Sequence, residues 1–236
     1  MPRREQAVTI INSYTGLATA SAVIPVPVAD VVAITGLQVT MIIHLGNAYG
    51  KTISRHTARS FVLAALAGSA GMFLFSLIKT IPGVGSIIGG VSQMAIAGTI
   101  TYSLGLAVKY MLDHDKDLNK DEFGDAISKL DPEELKKKKE ELKQKLIKTK
   151  AAQKAIRFRA EPEKFTDNMI FRFNLSQYSD ATLRIRNLGL DPIFESQIEK
   201  SRTKFTYDPQ NLITGKYFAY LECEDLIPIQ LEIEKV

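Results

Sequence analysis

Three stretches of this 236-residue chain place side chains at spacings that chemistry uses. Asp113-His-Asp115-Lys-Asp117-Leu-Asn119-Lys-Asp121 sets oxygen ligands at alternate positions, as a calcium loop does. Such a loop needs glycine at its sixth position for the sharp turn and a bidentate glutamate at its twelfth. Leu118 and Gly124 stand there, so a solvated acidic linker is the expectation. Gly46-Asn-Ala-Tyr-Gly50-Lys51-Thr52 suggests a phosphate loop, but it has three residues between its glycines where the Walker pattern has four, and no strand precedes it. A helix ending at Tyr49-Gly50 before a basic loop is expected instead, without GTP. The third stretch is basic: residues 132–159 hold eleven Lys and Arg against four Glu, with Lys136, Lys137, Lys138 and Lys139 in one run.

The remaining reactive side chains are isolated. His44 has no acid at i±3 or i±4 and reads as a polar residue inside a bundle; His56 belongs to a loop, and His114 lacks the further ligands of a zinc site. Cys223 is alone, which excludes a disulfide scaffold and suits a small buried residue. No Ser–His–acid or Cys–His set stands out by spacing. The expectation is therefore a non-enzyme without catalytic, cofactor-binding or metal-ligating residues.

The elements that must position these groups divide sharply by charge. Residues 1–110 carry only Arg3, Arg4, Glu5, Asp30, Lys51, Arg55, Arg59, Lys79 and Lys109, and twelve of the fifteen glycines. The other 47 charges, 23 basic and 24 acidic, follow. Four stretches without strong charges, 6–29, 31–50, 60–78 and 80–108, approach or exceed the ~20 residues of a bilayer-spanning helix. Phe61–Ile78 is the strongest candidate. Ile24-Pro25-Val26-Pro27 and Ile81-Pro82-Gly83-Val84-Gly85 interrupt them, because proline lacks a donor and restricts the residue before it. The pattern predicts two helical hairpins, with helices over about 7–22, 30–50, 56–79 and 86–110. Asp30 would start the second helix, its charge at the favourable helix end. Lys79, near the other turn, is a candidate partner for it.

The basic residues then suggest a topology. Arg3 and Arg4 precede the first hairpin, Lys51, Arg55 and Arg59 separate the two, and Lys109 follows the second. If the helices span, these segments and both termini lie on the cytoplasmic side. Gly46-xxx-Gly50 and Gly85-xxx-Gly89 would allow close helix approach. Residues 1–22 imitate a signal peptide, but Asn12-Ser13-Tyr14-Thr15 interrupts the part that should be most apolar, so cleavage is not expected.

Ile24–Ile42 (IPVPVADVVAITGLQVTMI), Tyr49-Gly50 and Ile81–Gly90 (IPGVGSIIGG) together resemble the YcjF-type helical family, a bacterial domain found alone or fused behind an Era-like GTPase domain. The resemblance covers about residues 7–112. It implies a membrane-associated helical domain that works with a small GTPase, and it brings no catalytic residues. The chain departs from the fused form in carrying no GTPase domain over these residues and in adding a C-terminal module.

That module follows a charged neck. Asp131-Pro132-Glu133-Glu134 is a strong helix start: Asp caps, Pro suits the first turn and the acids favour the positive end. The helix, about 132–157, is expected to pair Glu133 with Lys137, Glu134 with Lys138 and Glu141 with Lys145. It reads either as a solvated spacer or as a basic strip against anionic headgroups, at about 1 kcal/mol per Lys or Arg. From about 164 the period changes to two. Phe171, Phe173 and Leu175, then Leu183 and Ile185, then Tyr217, Ala219, Leu221 and Cys223, then Ile229, Leu231 and Ile233 each share a strand face. Turn signals between them predict a small antiparallel sandwich, with an ending like that of immunoglobulin-like modules.

The chain is thus expected to be an α+β multidomain protein. Residues 1–112 would form a four-helix double hairpin with Ile-Pro turns, 113–160 a charged linker and helix, and 161–236 a β-sandwich. Its expected function is a non-enzymatic scaffold or anchor at the bacterial inner membrane with cytoplasmic termini. Hairpin turns would use Pro25, Pro27, Asp30, Pro82, Gly83 and Gly85, and lipid contacts Lys51, Arg55, Arg59 and Lys136–Lys139. Expected partners are membrane lipids, a small GTPase through the resemblance, and a second copy of the chain. Nucleic acid is not expected, because no aromatic residues interleave the lysines. The alternative is a cytoplasmic, pore-forming or membrane-remodelling effector whose hairpins insert from a soluble bundle. Moderate hydrophobicity and abundant glycine allow such a conversion.

Overall fold

The computed structural model describes residues 3–21, 29–68, 71–72, 89–187, 191–210 and 212–236, with backbone alone at 29–33 and 89–93. The chain divides into two compact units, residues 1–143 and 144–236. The first is helical: α1 Arg3–Ser21, α2 Ala29–Ala48, α3 Arg55–Ala67, α4 Gly89–Asp113, α5 Lys120–Ser128 and the first half of α6 Pro132–Ile156. Pro25, Pro27, Pro82, Gly83, Gly85 and Lys79 fall outside the described residues. Asp30 lies in the first turn of α2, with its side chain outside them.

Local chemistry sets most helix ends. After α2, the Gly50 N–H reaches Asn47 O and the Lys51 N–H reaches Gly46 O, with Gly50 at φ 74°. This closing turn needs a left-handed residue, which glycine supplies without strain. Gly46 and Gly50 therefore end a helix rather than bring two helices together. Ser54 caps α3 by accepting from the Thr57 N–H, and Asn119 caps α5 by accepting from those of Asp121 and Glu122. α6 starts where expected, with Asp131 accepting from Glu133 N–H at 2.9 Å.

Two helical expectations are corrected. The helix predicted over 56–79 stops at Ala67, because Gly68 turns extended at φ −82° and ψ 177°. The charged linker expected from residue 113 up to the neck helix contains α5, whose Phe123, Ala126 and Ile127 are buried. Phe123 packs edge-on to Phe61 of α3, ring centres 5.5 Å apart. The apolar triplet FxxAI makes one face of a short helix, and its caps supply the rest.

α1, α2 and α4 pack through small and hydroxyl-bearing residues. A methyl added at Gly98 of α4 would run into Thr19 of α1 and come within 2.8 Å of Leu142 in α6; one at Gly105 would lie 2.8 Å from Ile11. The hydroxyls of Thr15, Thr19, Thr99 and Ser103, all buried, donate to the carbonyl four residues earlier at 2.7–2.8 Å. They are satisfied inside their own helices and leave the helix surfaces free to approach. Gln38 of α2 donates to Thr101 of α4 at 3.2 Å, while its Oε1 meets no donor among the described residues. His44 sits 3.0 Å from the Tyr14 hydroxyl, which gives it the packed role its neighbours suggest.

The second unit joins the later half of α6 to eight strands: β1 Arg159–Glu161, β2 Lys164–Phe165, β3 Met169–Arg172, β4 Ala181–Asn187, β5 Pro192–Ile198, β6 Lys204–Tyr207, β7 Gly215–Cys223 and β8 Ile229–Lys235. They form a three-stranded sheet in the order β1-β3-β6 and a five-stranded sheet in the order β2-β8-β7-β4-β5. All pairings are antiparallel except β2 with β8, which is parallel, so the second sheet is mixed rather than purely antiparallel. Both sheets contribute to one core: Phe171, Leu183, Ile185, Tyr217, Ala219, Leu221 and Ile233 are buried together, with Ala152 and Ile156 of α6. The period-two pattern marks these faces correctly. It misses Phe218 and Tyr220, which are also buried on the other face of β7.

Candidate functional site

One cluster of polar groups in the helical unit lies at the end where α1 begins and α2 and α4 finish. Asp113, the last residue of α4, is the centre, with a side chain only 12% exposed. It accepts from Lys109 Nζ at 2.7 Å, one turn earlier, and from the Tyr49 hydroxyl at 2.7 Å, and faces Arg4 Nε at 3.5 Å. Beside it, Lys51 Nζ meets Asp115 at 2.7 Å. Arg3, Arg4, Tyr49, Lys51, Leu112, Asp113 and Asp115 line a cavity of about 290 Å³.

The electrostatics follow from this packing. Burial would raise the Asp113 carboxyl, but hydrogen bonds from Lys109 and Tyr49 and the charges of Lys109 and Arg4 outweigh it and hold the group below the usual carboxylate range. The same burial and the Asp113 charge push the Tyr49 phenol up, so Tyr49 acts as a neutral donor. The hydrogen bond from Lys51, with its charge, holds Asp115 down. Around the cavity the cations Arg3, Arg4, Lys51 and Lys109 stand against the carboxylates of Asp113 and Asp115.

Three segments that the sequence treats as separate basic punctuation, at the start of α1, after α2 and at the end of α4, therefore meet in space. The Lys109–Asp113 spacing of four signals that pair; nothing in sequence signals Tyr49, 64 residues from its acceptor. The oxygens of the calcium-like stretch disperse. Asp113 and Asp115 face different cations, Asn119 caps α5, and no cluster of three or more metal-binding side chains occurs among the described residues.

The other basic candidates are scattered. Arg55 and Arg59 are exposed on α3. Lys136 pairs with Glu133 at 3.7 Å instead of the expected Lys137, which is exposed. Lys138 bridges Glu141 at 3.1 Å and Asn12 of α1 at 3.0 Å, and lies 5.0 Å over the Tyr102 ring. Glu134 accepts from the Tyr102 hydroxyl at 2.7 Å rather than pairing with Lys138. Lys139 is fully buried, and that burial, reinforced by the Lys143 charge, lowers its pKa. A run of four lysines on a helix must point four ways, so it forms no single strip.

One described segment is long and apolar enough to cross a membrane. Met94–Asp113 has a mean hydropathy of 1.2, and 67% of it is buried inside the protein. No solved structure matches the chain. Magnetosome membrane protein 22 of Magnetospirillum gryphiswaldense is 42% identical over 105 residues, 42% of this chain and 53% of that protein. The chain thus spans about half the length of the curated relative it matches. The family described as Domain of unknown function (DUF697) matches residues 1–133, more than half of the chain, and the chain belongs to that family.

Proposed function

We propose that this protein is a non-enzymatic membrane-associated scaffold, whose helical unit anchors at the bilayer with its Asp113 end facing the cytoplasm. The observation that carries the reading is the meeting of Arg4, Lys51 and Lys109, from three segments, at one end of the helical unit. Basic residues gathered on one side of apolar helices are the arrangement that the positive-inside bias produces. Packing through Gly98, Gly105 and self-satisfied hydroxyls supports it, since such surfaces associate without a hydrophobic driving force between helices. The name of the magnetosome membrane protein points the same way. By the YcjF-type resemblance, the partner recruited is a small GTPase.

We further read the second unit as an immunoglobulin-like sandwich. A β2-β8-β7-β4-β5 sheet beside a β1-β3-β6 sheet matches the division of such folds into a larger and a smaller sheet. The Tyr217 hydroxyl donates back to Ile213 O at 2.7 Å, as a tyrosine corner does. Modules of this architecture commonly hold other proteins, which suits a scaffold.

Fractionation of the expressed full chain tests the reading. Retention in membranes through high salt and then alkaline carbonate is the expected result. Release of all the protein by salt would overturn an anchor built from the helices. One observation favours a second reading, an effector that inserts from a soluble state: two thirds of Met94–Asp113 is already covered by its own unit.

A further inference from the structure

We propose that the outward side of the second half of α6 is a contact surface for an anionic lipid membrane, built from Lys148, Lys150, Lys154 and Arg157 around Ile147. The proposal rests on the membrane-associated reading and adds to it a surface beyond residues 1–133, where the family match ends.

Charge divides α6 into two unlike halves. All four glutamates of the helix lie at or before Glu141, whereas residues 143–160 hold seven basic side chains and no acid. In the first half, Lys136 and Lys138 have acidic partners and Lys139 is buried. In the second half, Thr149, Ala152 and Ile156 turn inward. The Thr149 hydroxyl accepts from the Ile227 N–H at 2.9 Å, and Ala152 and Ile156 enter the core of the β unit. Helical periodicity then places Ile147, Ala151 and Lys154 on the opposite side, flanked by Lys148 and Lys150. Lys148, Lys150, Lys154 and Arg157 form no ion pair among the described residues; Arg159 does, with Glu161 at 2.8 Å. Ile147 is 45% exposed at the middle of this cationic side.

A helix that presents lysines around an exposed aliphatic residue has the chemistry of a membrane interface. The ammonium groups reach phosphates, and their methylene stems and the isoleucine meet the acyl boundary. Each such cation is worth about 1 kcal/mol near an anionic leaflet. A nucleic acid would call for aromatic rings on which bases stack, and the exposed apolar group here is aliphatic. Lys148 and Ala151 also line a groove of about 530 Å³ with Glu224 and Asp225, so the acids mark one edge of the face and the dye at residue 151 reports from that edge.

The test places an environment-sensitive dye at Ala151→Cys in the full chain and measures its quenching by acrylamide. Cys223 does not compete, since it is buried and burial pushes its thiol up to about 11. On phosphatidylglycerol-containing vesicles the dye is expected to be shielded, and on phosphatidylcholine vesicles open. Replacing Lys148, Lys150, Lys154 and Arg157 by Gln, all exposed, should abolish the shielding while circular dichroism and the thermal transition stay unchanged. Equal quenching on both vesicles, shielding that survives the four replacements, or shielding produced by polyglutamate or RNA in place of vesicles would overturn the proposal. A chain that stays on membranes through carbonate while the dye remains open refutes this surface alone; a chain found on no membrane refutes the reading beneath it as well.

Discussion

At the scale of single residues, Asp113 organises the end where α1 begins and α2 and α4 finish. Its carboxylate holds Lys109 and Tyr49 and faces Arg4, from three segments of the helical unit. Hydrogen bonds involving a charged group contribute about 1.5–3 kcal/mol when partly buried, so Asp113→Asn should cost the full chain about 1–3 kcal/mol at neutral pH. The sign with pH follows from the lowered pKa. A carboxylate held below its ordinary value stabilises the fold above the unfolded-state value of about 4 and loses that contribution as pH falls through the folded one. Denaturant unfolding at pH 7 and at pH 3 should therefore show a deficit for the Asn variant that shrinks on acidification. An equal deficit at both pH values would mean that the carboxylate charge is not what stabilises this end. The i,i+4 spacing made Lys109 readable as a partner. The Tyr49 contact depends on the parallel placement of α2 and α4, which brings their C-terminal ends together and which spacing along the chain does not encode.

At the scale of elements, the described helices approach through Gly98 and Gly105 of α4 and not through Gly46-xxx-Gly50, while Gly85 of the second such pair lies outside the described residues. Gly46 and Gly50 are used to end α2, because a left-handed closing residue and a loop folding back both exclude a side chain there. Gly98→Val should then lower stability by about 1–3 kcal/mol or more, the cost of overpacking a tight interface. The same change at Gly124, with nothing near its added carbon, should leave stability within about 0.5 kcal/mol and on the side of a gain, because valine is a better helix former than glycine. Thermal unfolding of both variants in one buffer or detergent decides it, and equal shifts would remove Gly98 from the interface. Boundaries with local chemistry were legible: Asp131-Pro132 at the start of α6, and Tyr49-Gly50 just past α2. α5 was not, since nine residues with one apolar triplet resemble a linker until α3 and α4 offer them a surface. The lysine run was legible as charge but not as geometry, because the helix turns successive lysines in different directions.

At the scale of the whole molecule, the change of composition and the boundary between the two compact units fall at different places, since charges thicken after residue 110 whereas the first unit runs to residue 143. An anchor leaves a bilayer intact. Vesicles loaded with a self-quenched dye should therefore release no more on adding the chain than on adding buffer, and leakage that rises with protein concentration would favour the inserting effector. By itself the sequence determined this change of composition, the glycine turn at Gly50, the cap-defined start of α6 and the alternating faces of the strands. Each of these rests on interactions within a few residues, or on the solvent that a segment prefers. Tertiary structure alone decided which cations gather at Asp113, which glycines face a neighbouring helix and how the eight strands divide into two sheets. Each of those depends on residues brought together from distant parts of the chain, and such contacts leave no period or spacing in a single sequence.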